Sequence, residues 1–471
     1  MRMVCFVSLL VVAVASAEAA PPPDPVTALP VTPAAPPVPA LRWKLLPELR
    51  DTTPGNAAQL YYRAFAPEWS RPLQHELETN LSIRDAAGMP PDQLKSLASD
   101  PNSRVAGIRN SAMLKEVDRA ARRQYCDWDL TGRAREEGLG LLLPDAQTFR
   151  VFATLIAIRS RLELADRDFI PAIRSLQTGF ALGRHVSDAP TLIQSLVGTA
   201  ITGVMLDQVE EWIRTPHSPN LYWALANLPR PFIDLHKPLE GEKLLLDNLL
   251  PGFREALASR TMEPMTSGQV AALKDKLVML ADHGVPPLES VLYVAKSYPN
   301  AKLFLLSQGW PGTKVQSLPA IQVVLLAEVA QYDRLFDDTI KWYGLPYSQA
   351  WAGFQKADAA LKNEGASGGS PSLSLSGLLL PAISRVVEAS YRTDRRIAAL
   401  RVVEAIRMHA AETGKLPSSL DEITQVPVPT DPMTGDAFRY RLDGPTATLS
   451  TAPVGTPHSR NTIKYEITLR P

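Results

Sequence analysis

Apolar residues recurring every three or four positions through most of the chain constrain its fold more than any other feature. Phe152, Leu155, Ile156 and Leu162 fall at helical spacing, Ile173, Leu176 and Phe180 mark the next helix, and Leu192, Leu196, Ile201, Met205, Val209 and Trp212 the one after. A helix satisfies its own backbone but must bury its apolar stripe on a neighbour, so the expected fold is mainly α: an irregular array of helical hairpins. At 471 residues the chain has room for two or three domains of about 100–200 residues each, and for a sizeable core. Charge excludes one class of partner. The 49 Lys and Arg are cancelled by 49 Asp and Glu, whereas polyanion binding needs clustered, uncompensated cations, so no nucleic-acid partner is expected.

The first residues predict export. Arg2 supplies a positive start, Met3 to Val14 an apolar run, and Ala15-Ser16-Ala17 or Ala17-Glu18-Ala19 a small-residue cleavage site, so residues 1–19 are expected to be a cleaved signal peptide. The run is shorter than the roughly 20 residues of a spanning helix and is interrupted by Ser16 and Glu18, which leaves no stable membrane anchor after cleavage. Cys5 lies too early for a lipoprotein acylation site. Cleavage leaves Cys126 as the single cysteine, so a periplasmic or extracellular chain would be held together by its core and not by disulfides.

Composition divides the remainder. Residues 21–39 contain nine prolines, so 20–40 is expected to be an extended polyproline-like spacer. A helical domain is expected over 41–363, a Gly/Ser linker over 364–376 and a tail over 377–471. Within the helical part, Asp166-Arg167-Asp168 is the polar turn of a hairpin running from Arg161 to Pro190. Ala172 and Gly179, seven residues apart on its second helix, permit close helix contact. This segment resembles a degenerate tetratricopeptide repeat, although the Trp and Tyr positions of that family are not met. A plain helical hairpin in an irregular bundle needs the same small residues.

In the tail, Ala399, Val403, Ile406 and Ala410 lie on one face of a long helix that stops at Gly414. Ser418 to Glu422 offers two overlapping capping boxes for a short helix. Phe438, Tyr440 and Leu442 alternate, Asp443-Gly444-Pro445 turns the chain, Thr446 to Thr451 reads as a second strand, and Ile463, Tyr465, Ile467 and Leu469 as a third. The stretch AIRMHAAETGKLPSSLDEIT followed by PTDPMTGDAFRYRL resembles the soluble C-terminal part of type II secretion pseudopilins, without their membrane helix and processing site. That likeness implies a small α+β module. Across the chain, RRQYCDWDL, LLLPDAQTFR, PTLIQSLVGTAI, SPNLYWALANLPRPFIDL and DPMTGDAFRYR resemble a family of exported helical proteins of planctomycete-type bacteria, a likeness that brings no activity with it.

Four motifs could carry chemistry. Gly365-Ala366-Ser367-Gly368-Gly369 fits G-x-S-x-G, but a Lys/Ala-rich helix and a linker replace the strand and helix of a nucleophile elbow. Asp127, Asp129, Thr131 and Gly132 match the start of a calcium loop, yet Gly138 stands where the bidentate Glu belongs. As a phosphotransferase D-x-D-x-T they would follow a buried strand, whereas Val117 to Gln124 reads as a charged helix; as structural groups they would cap the next helix and neutralise Arg119, Arg122 and Arg123. Cys126 is a candidate nucleophile whose arginine neighbours would lower its pKa, or a buried structural thiol. Asp234, His236 and Glu240 are metal-type ligands, three in number and without a fourth. No catalytic, cofactor or metal site is therefore assigned. The expected role is an exported, non-catalytic interaction or scaffold module with a protein or peptide partner in the cell envelope. The alternative is a hydrolase or metal-dependent enzyme built from dispersed residues such as Cys126, Asp127, His236 and Glu240.

Overall fold

A computed structural model describes residues 26–65, 86, 88–101, 103, 105–137, 145–280, 287–366, 374–454 and 462–470. Residues 1–19, expected to be a signal peptide, lie outside them, as do Ser367, Gly138 and most of the Gly/Ser stretch. In chain order the helices are α1 (Ala57–Ala64), α2 (Pro91–Ser99), α3 (Ala112–Ala121), α4 (Leu130–Glu137), α5 (Asp145–Ala165), α6 (Phe169–Ser187), α7 (Leu192–Arg214) and α8 (Tyr222–Ala226). There follow α9 (His236–Leu249), α10 (Phe253–Ser259), α11 (Ser267–Leu280), α12 (Pro287–Ser307), α13 (Gly312–Ser317), α14 (Ala320–Ile340), α15 (Tyr347–Ala366) and α16 (Leu375–Thr413). The strands are β1 (Thr27–Val31), β2 (Thr53–Asn56), β3 (Arg123–Tyr125), β4 (Arg439–Asp443), β5 (Thr446–Ser450) and β6 (Lys464–Leu469). The fold is mainly α with a small α+β module at the C-terminus.

Two compact units emerge, and they do not follow the linear division expected from composition. One contains Leu239–Val387 with Thr131–Leu141; the other contains Pro21–Leu130, Leu142–Pro238 and Glu388–Pro471. Part of the expected helical region, up to Pro238, thus shares a unit with the tail from Glu388. The segment 364–376 is also more regular at its ends than a linker, since α15 continues to Ala366 and α16 already begins at Leu375.

In the larger unit, α5, α6 and α7 pack on one another. The turn at Asp166–Asp168 falls where expected, with Arg167 at φ +59°. The small residues Gly179 and Gly183, however, face α7, while α5 and α6 also pack on each other. A Cβ on Gly179 would stand 1.9 Å from Met205 Sδ, one on Gly183 2.6 Å from Thr202 Oγ1, and one on Gly198 2.4 Å from the Gly183 carbonyl oxygen. Gly179, Gly183 and Ser187 repeat every fourth residue, a ridge of small groups that lets two backbones meet. Among the described residues α7 alone is long and apolar enough to cross a membrane, and 61% of its most apolar window is buried inside the fold.

The four-stranded sheet has the order β1-β6-β5-β4, antiparallel except for β1 on β6. Its last three strands match the alternation in the sequence, and Gly444 takes the positive φ, +57°, that a two-residue hairpin loop demands. The fourth strand corrects the reading of 20–40 as a spacer. Leu29 and Val31 alternate into the core while Pro30, which has no N–H, is tolerated because β1 is an edge strand. Beyond it the chain stays anchored: Arg407 Nε donates to the Thr32 carbonyl at 3.0 Å, and Asn220 Nδ2 to that of Ala34 at 3.3 Å. Two further expectations fail locally. The charged helix ends at Ala121 and gives way to β3, and the segment Ser418 to Glu422 forms only a 3-10 turn at Leu420–Glu422, with the Glu422 carboxylate accepting from the Ser418 backbone N–H at 2.8 Å.

The second half of α16 is enclosed on nearly every side, and its charges are matched internally. Arg395 donates through Nε and a terminal nitrogen to Asp431, both groups almost fully buried. Arg407 uses every donor: Nη1 on both oxygens of Glu404, Nη2 on Ser218, Nε on Thr32. Such pairs hold only while each partner remains, because a lone buried charge has no solvent to stabilise it.

Candidate interaction surface

The residues with chemical potential are absorbed into structure. Asn56 clamps the backbone of Asp127, its Nδ2 donating to the carbonyl at 2.7 Å and its Oδ1 accepting the N–H at 2.9 Å. Asp127 Oδ1 accepts the Asp129 N–H at 3.0 Å, which fixes the turn into α4 with Asp129 at φ +54°. The arginines expected to be neutralised here go elsewhere: Arg119 to Glu116, Arg122 to Thr178 and Gln177, and Arg123 to the Pro54 carbonyl. A strand does precede the D-x-D-x-T residues. It is β3, largely exposed and paired only with β2, so the buried sheet that chemistry requires is not there.

Cys126 is buried, and burial pushes its thiol up, with Asp188 and Asp127 adding to the shift. That reverses the lowering expected from arginine neighbours, which point away from it. Beside it Tyr61 stacks on Trp128 at 5.5 Å, and the Tyr61 hydroxyl lies 3.0 Å from Nδ1 of His185. Burial depresses His185 to about 4. Asp234 and His236 form a local pair at 2.6 Å at the start of α9, both side chains about two-thirds exposed, and Glu240 is exposed one turn on. The structure draws Cys126, Asp127, Asp188 and Lys237 into one neighbourhood, with Lys237 on Asp188 at 3.6 Å. Among the described residues no three His, Cys, Asp or Glu gather to hold a metal.

A different feature stands out in the smaller unit. Helix α12 is apolar on two faces. Its inner face packs on α14: Ala301 and Leu305 are buried, and the Tyr293 hydroxyl donates to Glu328 Oε1 at 2.5 Å while Glu328 Oε2 accepts the Leu375 N–H at 3.0 Å. The helix ends where Gly309 turns to φ +84°, with the Trp310 N–H reaching back to the Leu305 carbonyl at 3.1 Å and the Trp310 side chain buried. Its outer face carries Leu292, Ala295, Pro299, Leu303 and Leu306, all exposed, with Leu303 at 65%. At 3.6 residues per turn these five fall within about 80° of arc over roughly 21 Å of axis, and Val291, also 65% exposed, widens the apolar arc to about 120°.

Lys296 and Lys302 lie on opposite margins of this stripe. Between Ser290 and Ala327 the chain contains three lysines and no Asp or Glu. Sequence reasoning passed over the helix because its apolar residues occupy two faces, so no single amphipathic stripe signals it. The acid-free run was the available signal.

No protein-family model, curated protein or solved structure matches this chain.

Proposed function

We propose that the protein is an exported, non-catalytic interaction module that docks a protein partner in the cell envelope. The carrying observation is the outer face of α12, where a continuous apolar stripe is displayed to solvent on a helix whose other face is already packed. Exposed apolar surface of that extent on a folded chain marks a place where another surface is buried. The structural duties of Asp127 and the protonated, buried thiol of Cys126 support the non-catalytic part of the reading. Export rests on the signal-like residues 1–19, and the pseudopilin likeness of the tail is taken as a likeness of fold.

A photo-crosslinking side chain placed at position 303 in the native host tests the docking role. Capture of one protein species from position 303, but not from exposed Glu255, is the expected result. The same adduct pattern from both positions would overturn the reading. Loss of cellular function in Cys126→Ala or Asp127→Ala, with unchanged circular dichroism, would instead place chemistry there. Sequencing of the mature N-terminus should start after Ala17 or Ala19, and a start at Met1 would rule out the cleavage.

A further inference from the structure

We infer that the outer face of α12 seats an acidic amphipathic helix. This inference rests on the docking role just proposed and names the partner's chemistry. The stripe is one helix wide and about four turns long, the footprint of a helical ligand reading positions i, i+3, i+7 and i+11. Leu292, Leu303 and Leu306 supply large apolar contacts, and Ala295 and Pro299 between them leave a shallow saddle for a partner's side chain. Charge then selects among occupants. Lys296 is exposed and Lys302 half-buried, one on each margin; the nearest acids in sequence are Glu289, in the first turn of the same helix, and Glu328, which is held by Tyr293 and Leu375. A partner with Glu or Asp on both flanks of its apolar stripe places a carboxylate against each ammonium group.

A second copy fits the apolar part, because the stripe is nearly symmetric about Pro299, with Leu292 opposite Leu306 and Ala295 opposite Leu303. It fails on charge. Antiparallel pairing of two such helices about Pro299 would set four lysines along the middle of one seam, with each copy's Glu289 two turns from Lys296 at the far end, a like-charge arrangement that selects against the pair. An anionic membrane would be met better by a face with many cations than by one with two.

The test uses the full chain and fluorescence anisotropy with two labelled three-heptad peptides. Both have Leu at a and d; one carries Glu at e and g, the other Lys. The acidic peptide should bind about tenfold more tightly than the basic one, and Lys296→Glu with Lys302→Glu should reverse the order. Leu292→Ser with Leu303→Ser should abolish binding of both while leaving the circular dichroism melt unchanged. Equal binding of the two peptides, or binding untouched by the leucine substitutions, overturns the inference. So does cosedimentation with phosphatidylglycerol vesicles in preference to peptide, or a dimer that those substitutions dissolve. Failure here combined with a specific crosslink from position 303 would reject only the partner class; failure of both would reject the docking role itself.

Discussion

Helices α7 and α12 are of similar length, 23 and 21 residues, and both are rich in apolar side chains, yet one is enclosed and the other half displayed. The difference lies in their small residues. In α7, Gly198 sits so close to α6 that its missing side chain is what lets the two backbones meet, and β1 and α5 cover further faces. In α12 the outer face is built from leucines at helical spacing, with no glycine to draw a neighbouring backbone in. Hydrophobic content alone therefore does not decide burial. Complementary shape on a neighbour decides it, because dispersion contacts and water exclusion both require atoms at van der Waals distance.

Substitutions can break or sharpen that contrast, and the largest effect is expected where the enclosed unit holds charge. Asp431→Ala strands Arg395 in the core and should cost about 3–5 kcal/mol in urea unfolding. A loss below about 1 kcal/mol would mean the pair is far better solvated than its burial implies. Next, Gly198→Ala should cost about 2–3 kcal/mol, because its Cβ meets the backbone of Gly183 and Ser187, which cannot rotate aside. Gly179→Ala should cost less, since Met205 can swing away. The reverse order would place the tightest helix contact elsewhere.

A pH effect comes third. Burial raises Glu163 to about 7, although Ser175 Oγ donates to its Oε2 at 2.7 Å. Between its ordinary pKa, 4.5, and 7 the folded chain keeps a proton that the unfolded chain has released, so this group makes stability fall as pH rises through that window. Glu163→Gln should flatten the fall and stabilise the protein at pH 8 by on the order of 1–2 kcal/mol, read from urea midpoints at several pH values. His185 acts with the opposite sign. Depressed to about 4 from 6.5, it makes stability rise as pH climbs between those values, and a neutral replacement should remove that rise. The smallest effect is expected on α12. Leu292→Ser and Leu303→Ser should each change stability by less than about 0.5 kcal/mol, and a cost of several kcal/mol would show that the outer face is buried in the folded chain.

Much of this was legible locally. The hairpin turn at Asp166–Asp168, the stop at Gly414 and the strands around Tyr440, Leu449 and Tyr465 follow from spacing and turn chemistry, because each depends on residues close in sequence. Cys126 was legible only as a choice between buried and reactive. Its arginine neighbours in sequence turn away in space, and burial sets the thiol.

By itself the sequence determined the helical periodicity and the small C-terminal strands. Tertiary structure alone decided that Leu29 and Val31, inside a proline-rich stretch, would complete a sheet with Ile467 and Leu469 more than 400 residues away. It likewise decided that Gly179 would meet Met205 instead of its own hairpin, and that the leucines of α12 would have a neighbour on only one face. The physical reason is common to all three. Periodicity states which side of an element must be covered, but the identity of the cover depends on the fit of distant surfaces, which no local window of the chain contains.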